Sequence, residues 1–301
     1  MSPSLPQGPG PRDAGKPLVS IIVPTYNRAR FLERCVRSVL GQTYRALECI
    51  VVDGASQDGS VEILRRLAAE DSRLRFISEP DQGEVYAVNK GLDLAKGEIF
   101  GQQASDDYYV PDAVEAAVAF LLQHPEYAGV GGDGRYVDEH GNDLGRGVIT
   151  YRGEMSRRTI KRILRVRWKA NAVCHGSFFG WRERVLRVGK LDPAFSVIPD
   201  WEFYLRLLDA GETIGHLEKI QYCFTIHGEM GAQKYCEQVE EQRARLHRRY
   251  GMKWHDELFR ATFGRAMSYL ANPYRSPFPA GLRREVGDAL ARRAARRAPA
   301  I

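Results

Sequence analysis

From Leu18 onward, short β-branched runs alternate with helical patterns, and this alternation restricts the chain to few architectures. LVSIIVP precedes ARFLERCVRSVL, LECIVVD precedes GSVEILRRLAA, LRFISE precedes EVYAVNKGLDLA, and EIFGQQA follows. The order β-α-β-α-β-α-β predicts a mainly parallel sheet covered by helices, with its ligand crevice beyond the carboxyl ends of the strands. Polar residues placed just after strands are therefore the first candidates for function.

After Asp112 the pattern changes. The helix AVEAAVAFLLQ ends near His124 and Pro125, and AGVGG, GRYVDEHGN and GRGVITY then read as short strands joined by Gly-containing turns. A mixture of helix and strand runs from Ser156 to Ile226, and helices are predicted for most of the region beyond Tyr235. The expected organisation is a flexible Pro/Gly-rich tail (1–17), an α/β half (18–112), a mixed half of the same domain (113–232) and a C-terminal helical extension (233–301).

The chain has 301 residues and 44% apolar content, enough for a sizeable core. Its formal charge is +6. Residues 283–297 hold six Arg against Glu285 and Asp288, which accounts for +4 and leaves +2, too little for a nucleic-acid binder. The basic, Ala-rich LRREVGDALARRAARRAPAI reads as a solvated helix with a frayed end, or as a helix touching an anionic membrane. No run of about 18 apolar residues and no signal-type leader is seen, so a cytoplasmic protein, at most peripheral to the membrane, is expected. The five cysteines form no C-x-x-C pair, so reduced thiols are expected.

Four segments follow strands or open helices. Pro24, Tyr26, Asn27 and Arg28 close the first strand; a base could stack on Tyr26, and Asn27 is either a ligand contact or a helix cap. Asp53 follows CIVV and could accept a hydrogen bond from a base or ribose, whereas Asp58 reads as the cap of the next helix. Ser105, Asp106 and Asp107 place a hydroxyl and two acids at a strand end, which reads either as a solvated loop or as a cation site, since Mg²⁺ needs only one or two carboxylates plus substrate phosphates. Asp200, followed by Trp201 and Glu202, starts a helix as either its cap or a general base. His175 and His227 are metal or phosphate contacts, or structural histidines.

The G-x-G-x-x-G match at Gly129 to Gly134 is excluded as a dinucleotide loop, because a strand and turn follow it instead of a helix. A phosphate-cradling P-loop and a G-x-S-x-G elbow are both absent.

Taken together, VSIIVPTYNR, VVDGASQDGS, EPDQGEVYAVNKGLDLAKGEI and ASDDYY resemble family-two inverting glycosyltransferases of the GT-A fold. HGSFFGWRERV, the Gly189–Asp192 turn, PDWEFYLRL and FTIHG resemble that family's acceptor half, so the resemblance spans roughly residues 18–230. It implies a GT-A-like α/β fold, with 18–112 as the nucleotide-sugar-binding half and 113–232 as the acceptor-binding half of the same domain, and transfer of a sugar from a nucleotide-diphosphate sugar, with a UDP-sugar favoured, to the hydroxyl of a saccharide, a lipid-linked saccharide or a small metabolite. Mn²⁺ or Mg²⁺ is the implied cofactor. By resemblance, Pro24, Tyr26, Asn27, Arg28, Asp53, Asp81, Asn89, Lys90, Ser105 and Asp106 border the donor, Asp107 and His227 bind the metal, and Asp200 is the base. His175, Trp201 and Glu202 fall near the acceptor. Two positions depart from the pattern: Pro199 replaces the acid before the base, and the acidic motif is Ser-Asp-Asp instead of Asp-x-Asp. A sugar-phosphate nucleotidyltransferase would carry a Gly-rich loop after its first strand, and PTYNRAR has no Gly. A non-catalytic nucleotide-sugar-binding module would not be expected to keep Asp106, Asp107 and Asp200 together.

Overall fold

The computed structural model describes residues 16–148, 153–160, 175–228 and 236–251. The first half runs β1 (Val19–Thr25), α1 (Ala29–Leu40), β2 (Leu47–Asp53), α2 (Ser60–Glu70), β3 (Leu74–Ser78), α3 (Glu84–Leu94) and β4 (Ile99–Gln102), in the order the sequence pattern predicts. β1 and β2 are buried along their whole length, as strands covered by helices on both faces require. α1 covers them with one apolar stripe of Phe31, Leu32, Cys35, Val36 and Val39.

The second half adds β5 (Tyr108–Tyr109), α4 (Ala113–Gln123), β6 (Gly129–Val137), β7 (Asp143–Val148), β8 (Phe179–Trp181), α5 (Arg182–Leu186), α6 (Pro199–Asp209), β9 (Ile214–Thr225) and α7 (Cys236–Arg249). All nine strands join one sheet in the order β3-β2-β1-β4-β8-β6-β9-β5, with β7 beside β6. The β3-β2-β1-β4 part is parallel, whereas β8 runs antiparallel to both β4 and β6. This mixed sheet flanked by helices is the predicted α/β architecture. The segment beyond 251, including the basic run 282–301, lies outside the described residues. No helix among the described residues is long and apolar enough to cross a membrane. Cys35, Cys49 and Cys223 are buried free thiols.

One expectation is corrected. AGVGG and GRYV are not separate strands joined by a turn; they form the single strand β6. Its glycines make room instead of breaking the strand: a Cβ on Gly132 would lie 2.3 Å from Gln221 and one on Gly134 2.2 Å from Tyr222, both from β9. The turn comes later, where Asp138 Oδ1 accepts the N–H groups of His140 and Asn142, and Gly141 takes φ +90°.

Strand register decides where the loops meet. Thr25 lies opposite Asp53, Asp53 opposite Ser78, and Ile22 opposite Gln102, so the carboxyl ends of four strands share one edge. The opposite edge is pinned by the buried Glu48. Ser20 Oγ and the Lys96 N–H donate to Glu48 Oε1 at 2.6 and 2.7 Å, and Arg75 Nη2 donates to Oε2 at 2.7 Å. Burial alone would raise this carboxyl, but those hydrogen bonds hold it below its ordinary value of 4.5. A depressed folded-state pKa stabilises the fold above the unfolded value and is lost as pH falls through the folded one. Glu48→Gln is therefore expected to cost about 1.5–3 kcal/mol at pH 7 in urea denaturation. The gap to the unsubstituted protein should narrow as pH falls below about 4.3; a gap that stays constant or widens on acidification would refute this account.

Candidate active site

Two loops at the carboxyl edge interlock. Asn27 takes φ +51°, a conformation that Asn tolerates better than most residues. Its N–H donates to Ser56 Oγ at 2.7 Å, and its Oδ1 accepts the Gln57 N–H at 2.9 Å. Asn27 is thus not the cap of α1. Asp58 takes that place, accepting the Ala29 N–H through Oδ2 at 2.8 Å and the Ser60 N–H through Oδ1 at 3.1 Å, so one carboxylate serves the first turns of α1 and α2. Burial raises this carboxyl, but the Ser60 hydroxyl and the two backbone donors hold it below its usual value.

Asp53 is fully buried. Ser56 N–H and Ser78 Oγ donate to its Oδ2 at 3.0 and 2.7 Å, and Ser56 Oγ donates to Oδ1. Its visible role is to shape the turn from Asp53 to Ser56. That turn exposes Gly54, where an added Cβ would lie 3.2 Å from the Tyr26 ring and 3.3 Å from both Asp81 oxygens. Tyr26 is 61% exposed, so its ring, the Gly54 backbone and the Asp81 carboxylate form one accessible wall. Pro24 lies below it, within β1 and opposite Val52.

Other residues expected at the donor are engaged by the protein. Asn89 Nδ2 donates to the Leu191 carbonyl at 2.9 Å and its Oδ1 accepts the Leu191 N–H at 3.0 Å, which straps α3 to the Gly189–Asp192 turn. Lys90 pairs with Glu79.

The acidic loop after β4 turns on the Asp107 N–H bond to the Ala104 carbonyl, 3.1 Å long, and buries Ser105 and Asp107. Asp107 Oδ1 accepts the Thr225 N–H at 2.8 Å, and Asp106 Oδ2 lies 3.0 Å from His227 Nε2 and 3.8 Å from Arg28 Nε. The His227 ring packs on Phe31 at 4.6 Å. Burial pushes the Asp107 carboxyl well above the usual carboxylate range and Asp106 adds to this, opposed by the Thr225 N–H and the Arg34 charge. Arg34 went unread in the sequence, where it is one of four arginines on α1 or its cap. Its Nη2 donates to Thr225 Oγ1 at 3.1 Å, and its guanidinium lies 4.6 Å over the Tyr108 ring. Only the fold brings Thr225 to Asp107, 118 positions away.

The donor set suits a hard divalent cation: two adjacent carboxylates, one buried at a cost that a cation would relieve, with an imidazole beside them. Among the described residues no group of three or more His, Cys, Asp or Glu side chains stands at metal-ligating spacing. Such a site holds a cation through one or two carboxylates and leaves the remaining positions to substrate phosphates. A cleft of about 440 Å³ adjoins it, lined by Asn27, Arg28, Arg30, Phe31, Gln57 and Asp58.

Asp200 is the second residue of α6, behind Pro199 at the first helical position. It lines a narrow crevice with Phe100, Phe178, Phe203 and Gln102. Gln102 ends β4, three positions before Ser105, and its Nε2 donates to Glu84 Oε1 at 3.2 Å. Trp201 and Glu202 face elsewhere. Trp201 is buried in the core, and Glu202 is held by Arg206 and Arg249. His175 opens a short 3-10 turn with Gly176 and Ser177, and its side chain lies outside the described residues.

Comparisons with known proteins bear on the family and the fold. Residues 20–189 match the model of glycosyl transferase family 2. A chondroitin synthase of Pasteurella multocida is 33% identical over 213 residues, which is 71% of this chain and 21% of that protein, so the chain spans about a fifth of its length. In structure, the chain is similar to S. aureus TarS 1-349 solved with UDP-GlcNAc, at a TM-score of 0.58 and 20% identity, covering 72% of this chain and 60% of that one. It is also similar to the mannosyltransferase PcManGT of Pyrobaculum calidifontis solved with GDP-Man and Mn²⁺, at a TM-score of 0.60 and 22% identity, covering 95% and 84%. With that family model spanning more than half of its length, and with a GT-A sheet carrying the acidic loop at its carboxyl edge, the chain belongs to glycosyl transferase family 2.

Proposed function

We propose that this protein transfers a sugar, with inversion, from a nucleotide-diphosphate sugar to an acceptor hydroxyl, using Asp200 as general base and Asp107 to hold a divalent cation. The observation that carries this reading is the shared edge. The acidic loop follows β4 directly, and Asp200 of α6 lines a narrow crevice together with Gln102, the last residue of β4. An acid that would serve the acceptor and an acid pair that would serve the donor therefore both lie toward the carboxyl end of β4.

Each group has a task its surroundings support. The nucleobase stacks on Tyr26 and reaches the Gly54 backbone and Asp81, while Asp53 acts through the turn it holds. Arg28 and His227 bracket Asp106 on the side where a diphosphate would lie. Asp107, aimed by the Thr225 N–H, places the cation with His227 beside it. When bound, a divalent cation offsets the negative charge that develops on the departing nucleotide diphosphate, without a proton donor. Asp200 takes the proton of the attacking hydroxyl, whose high pKa makes it a poor nucleophile otherwise. Attack from the side opposite the leaving group inverts the anomeric centre. The ligands of the two solved neighbours support a nucleotide-sugar donor, and the Mn²⁺ of one supports the cation. The synthase relative supports a saccharide acceptor.

Asp200→Asn is expected to keep donor affinity while turnover falls by about 10²-fold or more; near-normal turnover would exclude Asp200 as the base. In calorimetric titrations of a UDP-sugar with and without Mn²⁺, Asp107→Ala should abolish the gain that the metal gives. Equal gains in both proteins would remove Asp107 from the cation site. In a thermal-shift screen of nucleotide sugars with Mn²⁺, the true donor at 100 times its dissociation constant should stabilise the fold by about 2.7 kcal/mol. A screen in which GDP-sugars shift the transition and UDP-sugars do not would overturn the UDP preference.

A further inference from the structure

Resting on the reading of Asp200 as the base, we infer that α7 is a latch that sets the position of Asp200, with Arg249 and Glu202 as positioning residues at its locking point. Both α6 and α7 lie beyond residue 189, where the match to the family model ends.

The first turn of a helix is the part most prone to fray, and Asp200 sits in it. The chain before it is a short turn, Pro193–Phe195, capped by Asp192, followed by three residues that make no regular structure with the sheet. Phe195 and Ile198 anchor this stretch in the core, and α7 holds its backbone and polar groups. Gln242 Oε1 accepts the Val197 N–H at 3.1 Å and its Nε2 donates to Ser196 Oγ at 3.3 Å. Arg245 Nη1 donates to the Ala194 carbonyl at 3.1 Å and lies 4.8 Å over the Phe195 ring. Arg249 Nη1 donates to Glu202 Oε1 at 2.8 Å. Residues 242, 245 and 249 fall on one face of α7 together with the buried Leu246, so a single helix face grips the chain on both sides of Asp200.

The locking point also sets direction. Glu202 has 1% of its side chain exposed, and its carboxylate takes Arg206 Nη2 at 2.8 Å as well as Arg249. Arg206 in turn donates to the carbonyls of Val188 and Lys190, next to the Leu191 that Asn89 straps to α3. Residues two apart on a helix point about 200° away from each other. Fixing Glu202 toward α7 therefore turns Asp200 toward the crevice it shares with Gln102 and Phe203.

Arg249→Met tests this in the full chain, because Glu202 keeps Arg206 and its charge stays paired. The variant should retain its circular-dichroism spectrum and its donor KM within about twofold, while kcat falls about tenfold or more, as expected when a proton acceptor is displaced. Arg249→Lys should recover most of that loss, and Arg249→Met added to Asp200→Asn should lower kcat no further. Unchanged kcat in Arg249→Met beside an inactive Asp200→Asn would overturn the latch alone, as would a full additional loss in the double variant. Near-normal turnover of Asp200→Asn would overturn the base assignment and the latch with it. If Arg249→Met does not fold, Gln242→Leu, which breaks only the contacts to Val197 and Ser196, takes its place: a fall in kcat at constant donor KM supports the latch, and an unchanged kcat overturns it.

Discussion

The in-register parallel pairing of β1 with β2 and β4 is the constraint on which the site depends. With Thr25 opposite Asp53 and Ile22 opposite Gln102, β1 and β2 end level and β4 ends three residues earlier, so the loops that follow them share one edge although they lie tens of residues apart in the chain. The register is tied by polar contacts between neighbouring strands: Ser20 Oγ on β1 donates to Glu48 on β2, and Ser78 Oγ on β3 donates to Asp53 on β2. Glu48 ties the far edge by joining Ser20, Arg75 and the Lys96 amide. The buried Glu48 network and the candidate site thus occupy opposite ends of the same strands.

At the functional end, polar side chains serve the loops first and leave selected surfaces for a ligand. Asp58 satisfies two helix starts, Asn27 and Ser56 join neighbouring loops, and Asp53 is consumed by Ser56 and Ser78. What this scaffold presents outward is the Tyr26 ring, the Gly54 backbone and Asp81. A loop already fixed by hydrogen bonds loses little entropy when a donor binds, which favours affinity without new contacts. The acidic loop is organised in the same way from the second half of the chain, through the Thr225 N–H and His227.

Individual residues show how far the sequence could be read. The β-branched runs and the apolar stripe of α1 were legible because burial on both faces of a sheet and on one face of a helix leaves periodic marks. Asp58 was legible as a cap because an acid before a helix has a short-range role, but its second service to α1 depends on a contact across 29 positions. Gly132 and Gly134 misled the reading of β6, since a glycine that admits a neighbouring side chain looks the same in sequence as one that makes a turn. Arg34 and Arg249 left no signal, because a surface arginine and an arginine reaching into a buried network have the same local pattern.

By itself, the sequence determined the order of elements, the parallel first half and the acidic segment after the fourth strand, which reside in local periodicity, and the resemblance of its motifs pointed to a glycosyltransferase family. Only the tertiary structure decided which groups meet: Asp106 with His227, Asp107 with Thr225, Gly54 between Tyr26 and Asp81, and Glu202 with Arg249. The reason is physical. Local patterns record which face of an element is buried, whereas contacts between distant side chains are set by strand register and helix packing, which no single segment encodes.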